Sequence, residues 1–203
     1  PSFTRNWLAQ RGPGPMPAPF GWIDRLGLGL TGAALGLWTC LPLAWASGAA
    51  LIAAGFGLLV RLARWRGRAT CREPLVWSLH LGYAWLGAGL MLIGLSILAP
   101  EDVPRSAGTH ALTAGAGGVM TLAVMTRATL GHTGRARTAD RRTLAIYALV
   151  SFAAVIRILA AFWGEGQGPW LGAAGGLWSA AFGLFLVVYG PMLAGPRADG
   201  GSA

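Results

Sequence analysis

Long apolar runs alternate with short polar connections along the whole chain. About 20 apolar residues are needed to cross the hydrocarbon core of a bilayer as a helix, and this pattern predicts about six such spans. They cover Leu26–Leu43, Trp45–Leu62, Leu75–Leu98, Thr109–Leu130, Thr143–Trp163 and Trp170–Leu193. A tight turn near Pro42 makes the first two a helical hairpin, and Ala99-Pro100 stops the third. The reading is an all-α, polytopic membrane helix bundle over residues 26–193. Residues 1–25 precede it as a cytoplasmic linker or interfacial segment, and residues 194–203 follow as a disordered cytoplasmic tail.

Charge gives the bundle a direction. Arg61, Arg64, Arg66, Arg68 and Arg72 follow the second span, and Arg127, Arg135, Arg137, Arg141 and Arg142 follow or end the fourth. The connections between these clusters hold only Glu101, Asp102, Arg105 and Glu165, or no charge. The positive-inside rule therefore expects both arginine loops and both termini in the cytoplasm. The net charge of +9 is explained by these loops and excludes a nucleic-acid reading. Composition agrees: 54% hydrophobic, 11% charged, 32 glycines and 10 tryptophans. Glycine permits close helix contacts in lipid, and tryptophan sits at the interfaces. Cys40 and Cys71 lie in a span and in a basic loop, so no disulfide is expected. No CxxC or CxxCH occurs, nor a cleavable signal peptide, and the start at Pro1 is expected to reflect a fragment.

The stretch from Gly108 to Arg142 carries the most specific chemistry. His110 and His132 flank the fourth span, 22 positions apart, or about 33 Å along one helix, too far to share a metal ion within one chain. His80 lies in the third span toward the cytoplasm, so His80 and His132 form the better intrachain pair. Neutral imidazole is the commonest metal ligand and a usual haem axial ligand. The alternative is that His110 and His132 are interfacial polar residues and His80 a hydrogen-bonded packing residue. Met91, Met120 and Met125 offer soft donors for copper(I), although methionine in an apolar helix ordinarily packs. Arg157 lies well inside the fifth span, with no carboxylate deep in any span to neutralise it. An intramembrane charge needs a partner; Glu165, Glu101 or an anionic ligand are the candidates, and snorkelling to the outer interface is the alternative. Thr113, Thr121, Thr126 and Thr129, with Gly115, Gly117 and Gly118, mark the fourth span as a buried helix of the bundle.

Two of these stretches carry a family resemblance. The run from His110 through His132 to Arg135, HALTAGAGGVMTLAVMTRATLGHTGR, resembles the signature of the NnrS family, and Pro1–Trp7, PSFTRNW, is similar to a second stretch of that family. The resemblance spans essentially the whole chain. It implies a polytopic protein of the bacterial inner membrane that contains haem and copper. Its role would lie in nitric oxide metabolism and protection against nitrosative stress, often beside denitrification functions. Family members carry an additional N-terminal half with further histidines, so this chain corresponds to the C-terminal half. By position, the family motif falls on His110, Arg127, His132 and Arg135; His80 and Arg157 are added on physical grounds. A bis-histidine haem and a three-imidazole copper site together need more ligands than three histidines supply. The remaining ligands would come from the N-terminal half or a second copy of the chain. The competing reading is a metal-free transporter or channel half with Arg157 as an intramembrane anion site.

Overall fold

A computed structural model describes residues 1–200, and it is all-helical, with no strand among the described residues. A short helix α1 (Ser2–Ala9) is followed by α2 (Trp22–Cys40), α3 (Trp45–Ala63) and α4 (Pro74–Leu98). Next comes α5 (Arg105–His110), which runs into a π-helical segment (Ala111–Gly118) and then α6 (Val119–His132). The backbone stays right-handed helical at both junctions, so the three pieces form one rod. The antiparallel pair α7 (Arg141–Ala160) and α8 (Gly168–Ala194) completes the bundle.

Four helical stretches are long and apolar enough to cross a membrane: Trp45–Ala63, Pro74–Leu98, Arg141–Ala160 and Gly164–Ala194. They correspond to the second, third, fifth and sixth expected spans. The other two expected spans are also helical, for identifiable local reasons less uniformly so. The first turn of α2 carries Asp24 and Arg25, so its apolar stretch is shorter than the helix. The fourth is divided into three segments, α, π and α, around the run Ala-Gly-Ala-Gly-Gly at 114–118. The segment expected as a linker contains α1 and that first turn of α2. Of the expected tail, residues 195–200 lie against the end of α6, where Arg197 Nη1 donates to the His132 carbonyl at 2.9 Å and Ala198 N to the Thr133 carbonyl at 2.9 Å. Residues 201–203 lie outside the described residues.

Lipid tails are as apolar as leucine, so helices in a membrane associate through close packing and hydrogen bonds. Glycine supplies the close packing here. On α3 and α4 the pairs Gly48–Gly94 and Gly55–Gly87 meet backbone to backbone. A Cβ on Gly94 would stand 2.5 Å from the Gly48 carbonyl oxygen. Between α4 and the rod the same device recurs, with Gly108 against the Ile93 backbone and Gly89 against that of Leu112. Thus α4 is packed between α3 and the rod, while α2 covers α3, and α7 and α8 close the other side. One core cluster joins α2, α3 and α4 around Leu51, Leu58 and Leu90; a second joins α4, α6, α7 and α8 around Leu122, Tyr147 and Phe185. Met91 packs on Gly55 in the α3–α4 seam, which accounts for it as a packing residue.

The rod is buried along one side only. Gly115, Gly118, Thr126 and Thr129 are buried, whereas Thr113, Gly117 and Thr121 are exposed. Thr126 and Tyr147 hydroxyls bond to each other across α6 and α7. Trp163 and Trp170 stack at 5.2 Å on the α7–α8 turn, at the same end of the bundle as the exposed Trp45, as interfacial tryptophans do.

Candidate functional site

His110 and Arg157, singled out in the sequence for separate reasons, line one cleft. Its volume is about 300 Å³, and its other walls are Thr113 and Ala114 of the π segment, Ala153 of α7, and Leu171, Ala174, Gly175 and Trp178 of α8. Three local features build it. Gly108 fits against the Ile93 backbone and so fixes the α5 end that carries His110. Arg157 stands in the last turn of α7. The π segment widens the rod beside them, and Gly118 admits the Trp178 ring so closely that a Cβ would stand 2.3 Å from it. Helical turns with i→i+5 bonds are rare and concentrate at functional sites.

Arg157 makes no ion pair or hydrogen bond among the described residues, and neither Glu101 nor Glu165 reaches it. Both His110 and Arg157 are partly buried. The cleft therefore offers an imidazole and an uncompensated guanidinium in an otherwise apolar setting. That pair can hold a metal-bearing group through the ring nitrogen and an oxyanion through the guanidinium.

His80 lies near the opposite end of the bundle. Its Nδ1 is 3.0 Å from the Val76 carbonyl, which can only accept, so Nδ1 carries the proton. Its Nε2 then accepts from the Thr4 hydroxyl at 3.1 Å. Arg66, at φ 56°, turns the chain after α3, and the following Gly67 lies against the imidazole edge; a Cβ there would be 3.1 Å from Cδ2. Trp65 meets the ring edge-on at 6.1 Å. His80 and Met120 share a cavity of about 280 Å³ with Thr4, Trp65 and Tyr83.

His132 is exposed at the end of α6, and its side chain lines a third cavity, of about 380 Å³, with Arg127 and Arg137. Arg127 lies over the Phe3 ring at 4.5 Å, and Arg135 Nη1 donates to the Thr133 carbonyl at 3.3 Å. The cavities of His80 and His132 share walls at Phe3, Leu79 and Val124, but neither of the two holds both imidazoles. The three histidines thus occupy three places. Among the described residues no group of three or more His, Cys, Asp or Glu side chains is arranged to hold a metal ion. Cys40 and Cys71 are free and exposed.

Two features escaped the sequence reading. One is Thr4, the partner of His80, which lay in a stretch read as a linker. The other is Asp24, whose Oδ1 accepts from Arg61 Nε at 2.8 Å, with side-chain exposures of 7% and 12%. Arg61 Nη1 also donates to the Tyr83 hydroxyl at 2.6 Å, and its guanidinium lies over Trp65 at 5.0 Å. Arg61 reads as one of many loop arginines, so nothing in the pattern distinguishes it. The one available signal was Asp24 itself, an acid three residues after Gly21 at the opening of an apolar helix.

No curated protein matches the chain, and no solved structure does. The family described as NnrS protein matches residues 1–197, which includes the PSFTRN stretch that carries Thr4 and the long stretch that carries His110 and His132. The chain therefore belongs to the NnrS family.

Proposed function

We propose that this chain forms a six-span unit of an inner-membrane protein that binds haem and acts on nitric oxide. The observation that carries this reading is the meeting of His110 and Arg157 in one cleft beside a π-helical segment. In this reading α2 and the α5–α6 rod cross the bilayer with the four longer helices. The arginine loops and both termini then face the cytoplasm, and the His110–Arg157 cleft opens toward the outer face.

The donor set of the cleft fits one edge of a haem. His110 would supply an imidazole ligand, and Arg157, which forms no ion pair among the described residues, would pair with a propionate. When bound, haem iron supplies a coordination position for a diatomic gas. His110 would hold the group at its ring nitrogen, and Leu171 and Trp178, which line the same cleft, would screen it from water. The same residues do not fit copper. A copper centre needs several converging donors, and none is assembled among the described residues. Copper, and a second axial ligand, would have to come from another polypeptide segment or a second copy of the chain.

The experiment is an absorbance spectrum of the purified protein in detergent, oxidised and dithionite-reduced, with iron and copper quantified on the same sample. A stoichiometric Soret band lost in His110→Ala and shifted in Arg157→Gln supports the reading. A band lost in His80→Ala and kept in His110→Ala places haem at the other end of the bundle. The uncompensated guanidinium also favours a second reading, a metal-free transporter or channel with Arg157 as its anion site. There, Arg157→Gln abolishes transport and none of the three histidines matters.

A further inference from the structure

At the arginine-rich end of the bundle, a groove runs beneath α1. Its apolar part is walled by Phe3, Leu79 and Val124 and leads to Arg127, Arg137 and His132. A second, more polar cavity of about 620 Å³ continues from the same Arg127 and Arg137. Phe3 is 45% and Val124 49% exposed, so the apolar part opens where a hydrocarbon chain can enter. Neither arginine forms an ion pair among the described residues; Arg127 lies over the face of Phe3 and in the field of Glu73, short of an ion pair. The single carboxylate of the polar part, Glu73, is tied through Oε2 to Trp7 Nε1 at 3.1 Å. That bond leaves the carboxylate its charge, but two guanidiniums outweigh one carboxylate, so the groove is positive.

From this we infer that the groove binds an anionic phospholipid, its phosphate between Arg127 and Arg137 and one acyl chain along Phe3 and Val124. Basic pockets between membrane helices bind such headgroups, and guanidinium recognises phosphate through paired donors. An apolar wall continuous with the basic end distinguishes a lipid from a free anion, which would have no use for it. The site is independent of the haem reading, since it shares no residue with the His110–Arg157 cleft.

Native mass spectrometry of the full chain, titrated with dioleoylphosphatidylglycerol or dioleoylphosphatidylcholine, tests this. The phosphatidylglycerol adduct should outlast the phosphatidylcholine one. Arg127→Gln and Arg137→Gln should each weaken it about fivefold, and Arg68→Gln, on the other arginine loop, should not. Arg137 is exposed and lies in the loop after α6, so its variant remains informative if Arg127→Gln fails to fold. Equal retention of the two lipids, or unchanged binding in both variants, overturns the proposal. So does displacement of phosphatidylglycerol by inorganic phosphate at matching concentration, which would make the groove a site for free anions.

Discussion

The hydroxyl of Thr4 lies 3.1 Å from Nε2 of His80, a residue 76 positions away. With Nδ1–H bound to the Val76 carbonyl, both ring nitrogens are satisfied, and a neutral imidazole here carries its proton on Nδ1 and accepts from Thr4 at Nε2. The bond also fastens α1 to α4. Thr4→Val keeps the shape and removes the donor, leaving a half-buried acceptor unpaired. The expected cost is about 1–3 kcal/mol, visible as a lower thermal midpoint and faster tryptic cleavage after Arg5. Thr4→Ser should restore both; unchanged cleavage in Thr4→Val would show that the bond does not hold α1.

The α3–α4 seam depends on glycine. A Cβ on Gly55 would stand 2.4 Å from the Gly87 carbonyl oxygen, a backbone atom that cannot swing aside. Gly55→Ala should therefore force the helices apart and cost about 1–3 kcal/mol. Gly29→Ala, where nothing lies within 4 Å, should be neutral or slightly stabilising, because alanine is the better helix former. Thermal unfolding of both variants in the same detergent gives the comparison.

Asp24 and Arg61 form a nearly buried pair, with Arg64 Nη2 3.9 Å from the second carboxylate oxygen, so losing Asp24 leaves two guanidiniums without their counterion. Asp24→Asn is expected to destabilise by about 3–5 kcal/mol. Arg61→Gln should cost less, because Arg64 and the Gly21 N–H still face the carboxylate, and it should also free the Tyr83 hydroxyl. A double variant costing markedly less than the sum of the two single ones would report their coupling; strict additivity would show that the two side chains act separately.

Asp140 caps α7 from outside the membrane segment. The Thr143 backbone N–H bonds its carboxylate at 2.8 Å. That bond holds it below the ordinary carboxylate value of 3.8, against an opposing effect of burial, with help from the Thr143 hydroxyl and Arg142. A lowered value in the folded state means the unfolded chain takes up the proton first as pH falls. The contribution is thus complete above pH 3.8 and lost as the pH drops through the lower folded value. Asp140→Ala should cost about 1 kcal/mol near neutral pH and nothing below that window. Because Thr143 also bonds the Tyr189 hydroxyl at 2.7 Å, Tyr189→Phe should loosen the α7–α8 contact without altering this pH dependence.

The four long apolar helices, the order of the helical stretches, the arginine-rich connections and the histidines at either end of the rod were all legible in the chain. Each is a local property: a run long enough to match a bilayer, a charge that cannot sit in it, a residue at a helix end. Glycine abundance likewise announced close packing. It did not announce which glycines would meet, because a helix uniformly apolar around its circumference carries no mark of its rotation. That rotation aligned Gly55 with Gly87, brought Arg157 to His110, set Asp24 against Arg61 and placed Thr4 on His80. The π-helical turn was decided there as well, since glycines tolerate widening but only the indoles of Trp85 and Trp178, pressed on Gly115 and Gly118, give the widened rod something to accommodate. Membrane thickness and charge thus determined the elements from the sequence alone, while the side-to-side packing of the helices, which no linear pattern encodes, determined the site.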